Sequence, residues 1–135
     1  MILVDTSVMI NYLKGSDNEK TRLFDRIIER DIPFGISVYT YQEVLQGARD
    51  DKEFQSLKQY LSSQKIYILP NTLTCYEQAA KLFFDLRRKG RTIRSAIDAL
   101  IAQTAIHYRI SLLHNDRDFD DMAEALESLR ILKEL

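Results

Sequence analysis

Two aspartates each follow a short apolar run, at positions where a carboxylate could do chemistry. Asp5 comes directly after the run over 2–4, and Asp116 comes shortly after the run over 111–113. Both runs read as buried strands, and open parallel α/β sheets bind their ligands beyond the carboxyl ends of the strands. The alternative is structural, because each aspartate could cap the helix that follows it or, for Asp116, form an Asx-turn. Position alone leaves both interpretations open.

Two further carboxylates lie within predicted helices. Asp98 is the only charged residue between Ser95 and His107, in a segment apolar enough to predict a mostly buried helix. Burying a carboxylate without a cation is costly, which favours a metal ligand. The alternative is a capping-box variant, with Ser95 as the cap and Asp98 near the third helical position. Glu43 lies in the segment over 39–47, where a lone glutamate is more often solvated.

Together these four carboxylates could form one acidic site at the edge of a sheet. Close carboxylates repel one another and raise each other's pKa values unless a divalent cation neutralises them. Oxygen-only ligands favour Mg²⁺ or Mn²⁺ over zinc. Such a cation lowers the pKa of a bound water and stabilises the charge that builds on a phosphate, so no histidine base is required. The chemistry indicated is metal-assisted attack of water on a phosphate group.

The elements that must position these residues alternate between short strands and longer helices. Apolar spacing predicts the order β-α-α-β-α-α-β-α-α-β-α-β. Strands separated by helices pair in parallel through right-handed crossovers, with helices on both faces of the sheet. The expected fold is an α/β three-layer α/β/α sandwich with a mostly parallel sheet of four to five strands. The strands are predicted over 2–4, 33–37, 66–69 and 111–113, with an edge strand over 130–132.

Length and composition predict a single domain over 1–135. Hydrophobic residues make up 45% and charged residues 29%, as in an ordinary globular domain. The single cysteine, Cys75, excludes an intrachain disulfide and suggests a reducing compartment. Neither a signal peptide nor a transmembrane run is recognisable, so we expect a cytoplasmic protein. The net charge of -1 argues against a globally basic nucleic-acid coat.

A local basic run precedes Asp98 nevertheless. It could contact the phosphate backbone of a nucleic acid and bring it to the acidic site. It could equally supply the cations that favour a helix C-terminus, followed by a solvated turn. Its five positive charges are Arg87, Arg88, Lys89, Arg91 and Arg94.

Four segments, in order, resemble the PIN domain, and their length and arrangement resemble the VapC toxins of prokaryotic toxin–antitoxin pairs. The segments are Ile2-Leu3-Val4-Asp5-Thr6-Ser7, the Glu43 helix, Ser95-Ala96-Ile97-Asp98-Ala99-Leu100-Ile101-Ala102 and Leu113-His114-Asn115-Asp116-Arg117-Asp118-Phe119. The resemblance implies a metal-dependent endoribonuclease, a toxin that is neutralised by a cognate antitoxin and that forms a homodimer.

The resemblance also assigns roles to individual residues. It implies that Asp5, Glu43, Asp98 and Asp116 are catalytic, with Asp5, Asp98 and Asp116 binding Mg²⁺ or Mn²⁺. Supporting roles beside the metal would fall to Thr6 or Ser7 and to Asp118. His114 departs from the pattern, since many relatives have Thr or Ser there, so hydrogen bonding near Asp116 should differ in this chain.

Two other functions stay open at this stage. One is phosphoryl transfer on a small substrate with Asp5 as nucleophile, although position 7 is Ser7 where an Asp-x-Asp pair would need an aspartate. This alternative also lacks a glycine-rich phosphate loop. The other is a catalytically weak PIN-fold module with a binding or regulatory role.

Overall fold

A computed structural model describes residues 1–135 and contains a four-stranded sheet with seven helices. The strands are β1 (Ile2–Val4), β2 (Phe34–Ser37), β3 (Lys65–Tyr67) and β4 (Ser111–Leu113). The helices are α1 (Thr6–Leu13), α2 (Glu19–Glu29), α3 (Val38–Gln46), α4 (Asp51–Ser62), α5 (Leu73–Arg88), α6 (Ala96–Tyr108) and α7 (Arg117–Ala125). None of these helices is both long and apolar enough to span a bilayer.

All strand pairs are parallel, in the order β3-β2-β1-β4. The central strand β1 is buried along its whole length, as expected for a strand covered on both faces. Val4 pairs with Leu113, so the chain leaves β1 and β4 at the same edge of the sheet. The predicted α/β fold with a parallel sheet is confirmed.

Side chains alternate between two cores on opposite faces of the sheet. Leu3 and Leu112 belong to a core formed with α5, α6 and α7. Ile2, Val4 and Leu113 belong to a second core formed with α1 to α4. Because successive strand residues point to opposite faces, one three-residue strand contributes to both cores. The result is the predicted three-layer arrangement.

The predicted fifth strand over 130–132 is wrong, since this segment makes only an isolated bridge to β4. The Leu112 N–H donates to the Arg130 carbonyl at 2.8 Å, and the Leu132 N–H donates to the Leu112 carbonyl at 2.9 Å. Both bonds converge on Leu112, so pairing extends over a single residue.

The turn after α5 directs the chain toward the acidic edge. Lys89 is the C-cap of α5, and Gly90 has φ +77°, a left-handed conformation that glycine adopts without steric cost. The segment over 91–95 then runs back to Ser95, which caps α6 by accepting from the Ile97 N–H at 3.1 Å.

Candidate active site

The first turn of α1, which follows β1, and the loop after β4 are joined by a direct hydrogen bond. The Asn115 backbone N–H donates to Ser7 Oγ at 2.9 Å, although the two residues are 108 positions apart. Parallel pairing of β1 and β4 places both loops at one edge of the sheet. Asp5 and Asp116 therefore lie in adjacent loops.

Asp5 uses one carboxylate oxygen as a helix cap and leaves the other without a partner. Its Oδ2 accepts from the Ser7 N–H at 3.0 Å and from the Ser7 hydroxyl at 2.6 Å, and this contact caps α1. Its Oδ1 is buried and has no hydrogen bond. The residue is only 3% exposed, and this burial raises its pKa from 3.8 to about 6 against the lowering effect of the Ser7 bonds. Capping thus explains only one oxygen, and the other needs a proton or a cation.

Glu43 is held by a chain of hydroxyl groups that begins beside Asp5. Thr6 Oγ1 lies 2.7 Å from Glu43 Oε1 and 3.0 Å from Thr40 Oγ1. Because a hydroxyl has one hydrogen, Thr6 donates to the carboxylate and accepts from Thr40. Ser37 Oγ lies 3.3 Å from Thr40 Oγ1 and extends the chain. The Thr6 hydroxyl therefore donates to the Glu43 carboxylate, whereas the Ser7 hydroxyl donates to the Asp5 carboxylate.

Asp98 lies in the first turn of α6, half-buried at the same edge. Burial and then the negative charges of Asp5, Asp116, Glu43 and Asp118 raise the pKa of Asp98 from 3.8 to about 7. Its side chain makes no hydrogen bond to Ser95, so the capping box does not form. A nearby positive charge would therefore stabilise the ionised form of Asp98.

Asp116 and Asp118 complete an acidic cluster with Asp98. One carboxylate oxygen of each lies within 4.8 Å of the others. This is close to the ~4 Å between opposite oxygens around Mg²⁺, twice the ~2.1 Å Mg–O distance. Asp116 caps α7 through an Oδ1 contact with the Asp118 N–H at 3.0 Å, so here too a cap and a site residue coincide. Asp118, predicted only as a supporting residue, is a full member of the cluster.

His114 fixes the position of Asp116 through the backbone. Its Nδ1 accepts from the Asp116 N–H at 3.0 Å, so Nε2 carries the proton and donates to Asp120 Oδ1 at 3.1 Å. Burial lowers the pKa of His114, which favours this neutral form. His114 thus orients the loop. It makes no hydrogen bond to the carboxylate of a predicted site residue.

The basic run divides into two parts. Arg87, Arg88 and Lys89 lie exposed at the end of α5. Arg91 pairs with Glu124 at 2.6 Å and Asp121 at 3.4 Å, and Arg94 pairs with Asp116 and Asp118. Arg91 and Arg94 are therefore engaged by acidic groups of the same chain.

The sequence interpretation did not identify Thr40 as a site residue or Arg94 as the partner of two carboxylates. Thr40 precedes Glu43 by three positions, so both lie on one face of α3. That spacing was an available signal. The ion pairs of Arg94 have no such signal, because they depend on how the turn after α5 packs against α7.

Comparison with known proteins identifies one family and several related folds. The model of the PIN domain family matches residues 2–125. VapC ribonuclease Mb1587 of Mycobacterium bovis and ribonuclease VapC11 of Mycobacterium tuberculosis are each 28% identical to the chain over 124 residues. The alignment covers 91% of this chain and 92% of each relative.

Solved structures with the same fold include toxin–antitoxin complexes. VapBC2 from Rickettsia felis, bound to a DNA fragment of its promoter, has a TM-score of 0.73 at 21% identity and covers 100% of this chain and 99% of its own. A toxin–antitoxin complex from Klebsiella pneumoniae has a TM-score of 0.69 at 21% identity, with 100% of both chains covered. FitAcB from Neisseria gonorrhoeae has a TM-score of 0.67 at 23% identity, covering 98% of this chain and 97% of its own.

Proposed function

This chain belongs to the PIN domain family, and we propose that it is a metal-dependent endoribonuclease, the toxin of a VapBC-type toxin–antitoxin pair. In this proposal it hydrolyses phosphodiester bonds of RNA in the cytoplasm. Support comes from the relatives that are named ribonucleases and from the toxin–antitoxin complexes that share the fold.

The observation that carries the proposal is the concentration of carboxylates at one sheet edge, where Asp98, Asp116 and Asp118 form a cluster and Asp5 has a buried oxygen without a partner. Asp5 Oδ1 has no hydrogen bond, and the pKa of Asp98 is raised to about 7, first by burial and then by the negative charges of the neighbouring carboxylates. A folded protein retains such an arrangement at a cost in stability. A bound cation would remove that cost, so the donor set fits a divalent metal.

The residues that would hold the cation are Asp5, Asp98 and Asp116, with Asp118 beside them. All offer carboxylate oxygens, the ligands that Mg²⁺ and Mn²⁺ prefer. When bound, the cation supplies Lewis acidity that activates water near neutral pH and stabilises the charge developing on the phosphate.

Glu43 is suited to orient the attacking water. The Thr6 hydroxyl holds Oε1 at 2.7 Å, while Oε2 makes no hydrogen bond to the protein. The first contact fixes the carboxylate plane, and the free oxygen can accept a proton from water. Glu43 is thereby positioned as a general base at the rim of the acidic cluster.

RNA would approach from the basic end of α5. Arg87, Arg88 and Lys89 are exposed and make no ion pair within the chain, so they are available to phosphates. The turn at Gly90 connects this end of α5 to the segment that contacts Asp116 and Asp118. Phosphate contacts at the end of α5 would place a strand near the cluster without reading its sequence.

The proposal includes a cognate VapB-like antitoxin and a homodimer. An exposed apolar strip on α5 supports a protein partner, because Leu73 is 80% exposed, Phe84 42% and Tyr76 41%. Large exposed apolar side chains that occur together mark interaction surfaces. Sedimentation velocity of the chain alone and with its antitoxin measures both assemblies.

Replacing Asp98 tests the function. Asp98→Asn keeps the shape of the side chain but weakens a ligand, so RNA cleavage should fall on the order of 100-fold or more. Cleavage of a mixed RNA pool is measured in Mg²⁺, Mn²⁺, Ca²⁺ and excess EDTA, with Mn²⁺ binding followed by calorimetry. The wild-type protein should cleave in Mg²⁺ or Mn²⁺, poorly in Ca²⁺ and not in EDTA. Asp25→Asn, at an exposed position of α2, is the matched control and should behave as wild type.

Four outcomes would contradict the proposal. Cleavage that persists in EDTA, or full activity of Asp98→Asn, would exclude the metal site. Mn²⁺ binding without RNA cleavage would favour the regulatory module. Hydrolysis of small phosphate esters with no action on RNA would favour the small-substrate enzyme.

A further inference from the structure

Arg94 is the cation that fills the acidic cluster in this structure. Its Nη2 donates to Asp116 Oδ1 at 3.0 Å, and its Nε and backbone N–H donate to Asp118 Oδ2 at 3.2 Å and 3.1 Å. No other arginine or lysine pairs with these carboxylates. We propose that the Arg94 side chain is a built-in competitor for the metal, a counter-ion that must release Asp116 before that carboxylate can bind a cation. This inference rests on the proposed metal-dependent function.

Arg94 is held more firmly by Asp118 than by Asp116, so the contact with Asp116 is the one that is released. Asp118 holds both Nε and the backbone N–H, and it is only 8% exposed. Asp116 receives a single Nη2 contact, on an oxygen that already accepts from the Asp118 N–H. Releasing Asp116 therefore breaks one hydrogen bond and leaves Arg94 attached to Asp118.

The carboxylates keep their positions without the Arg94 side chain. Asp118 retains the backbone N–H of residue 94, which any substitution except proline preserves. Asp116 retains its cap contact with the Asp118 N–H at 3.0 Å, and its own N–H still donates to His114 Nδ1. Removing the guanidinium thus deletes a competing charge but leaves the geometry of the ligands intact.

Metal affinity should consequently rise when Arg94 is shortened. A residue that only supported the ligands would have the opposite effect, because its loss would lower the affinity. The Arg94 side chain is 74% exposed, so its ion pairs are screened by solvent and each contributes modestly. We expect Arg94→Ala to bind Mn²⁺ about three to ten times more tightly than wild type.

Calorimetric titration of Mn²⁺ into chelator-stripped protein is the test. The matched control is Arg49→Ala, which removes an exposed arginine paired with Glu53 at 2.8 Å in another part of the chain. Arg94→Lys keeps the charge and should bind Mn²⁺ within about twofold of wild type. Tighter binding by Arg94→Ala alone is the expected result. Unchanged or weaker binding by a folded Arg94→Ala would overturn the proposal.

Arginine side-chain NMR provides a second measurement that does not need the alanine variant to be stable. In ¹⁵N-labelled wild-type protein, adding Mg²⁺ should shift the Arg94 Nη resonances, identified by their loss in Arg94→Lys. If the Arg94 resonances do not shift although Mg²⁺ demonstrably binds, Arg94 does not compete with the metal. The proposed metal site would be unaffected by that result. Absence of Mg²⁺ and Mn²⁺ binding in every variant would overturn the proposed function as well.

Discussion

Replacing Asp5 with asparagine should stabilise the metal-free protein at neutral and alkaline pH. Burial raises the pKa of Asp5 from 3.8 to about 6, so the native state holds the proton more tightly than the unfolded chain does. Stability therefore falls as the pH rises from about 3.8 to about 6, and the loss is complete above that range. Each tenfold change in the ionisation equilibrium corresponds to about 1.4 kcal/mol, so ionised Asp5 costs on the order of 3 kcal/mol.

Asparagine avoids this cost and keeps the useful contacts. Its amide oxygen can accept from the Ser7 N–H and hydroxyl as Asp5 Oδ2 does at 3.0 Å and 2.6 Å. Its amide nitrogen would take the place of the unpaired Oδ1 and would carry no negative charge to be repelled by Glu43 and Asp98. The expected gain in unfolding free energy is about 2 to 3 kcal/mol at pH 8, and it shrinks toward zero as the pH falls to about 4.

Urea unfolding followed by circular dichroism, in EDTA from pH 4 to pH 8, measures the difference. Asp25→Asn removes an exposed aspartate and should show no comparable gain. Added Mn²⁺ should reduce the difference in unfolding free energy between Asp5→Asn and wild type, since a cation that binds only the native wild-type site stabilises the wild-type protein. An Asp5→Asn protein no more stable than wild type at pH 8 would refute the electrostatic account of this site.

Two further predictions concern Glu43 and the basic run. Thr6→Val removes the hydroxyl that contacts Glu43 at 2.7 Å. RNA cleavage should fall at least about tenfold, while the affinity for Mn²⁺ should change little. Thr6→Ser keeps the hydroxyl and should restore activity. A loss confined to metal affinity would contradict this role. Replacing Arg87 and Arg88 with alanine should weaken RNA binding and reduce the salt slope by about 0.7 for each lost contact on a single strand, without affecting Mn²⁺ binding. An unaltered slope would assign both arginines to the helix C-terminus alone.

The sequence by itself determined the four strands of the sheet, the seven helices and the candidate carboxylates. Strand β1 and helix α6 are local patterns of apolar residues, and such periodicity depends only on near neighbours in the chain. Asp5 and Asp116 were recognisable because parallel strands bring their carboxyl ends to one edge. The capping interpretation was also correct for both, since a carboxylate with two oxygens can cap a helix and still face the site.

Only the tertiary structure decided how these groups are partnered. The contact between Asn115 and Ser7 joins residues 108 positions apart, and it exists because β4 pairs beside β1 and not at the far edge of the sheet. Asp118 and Arg94 meet 24 positions apart, across the interface between α7 and the turn after α5. Local propensity contains no information on such distant pairings, because they depend on strand order and helix packing. The same physical reason explains why a run of five similar cations separates into exposed residues and partners of acidic groups.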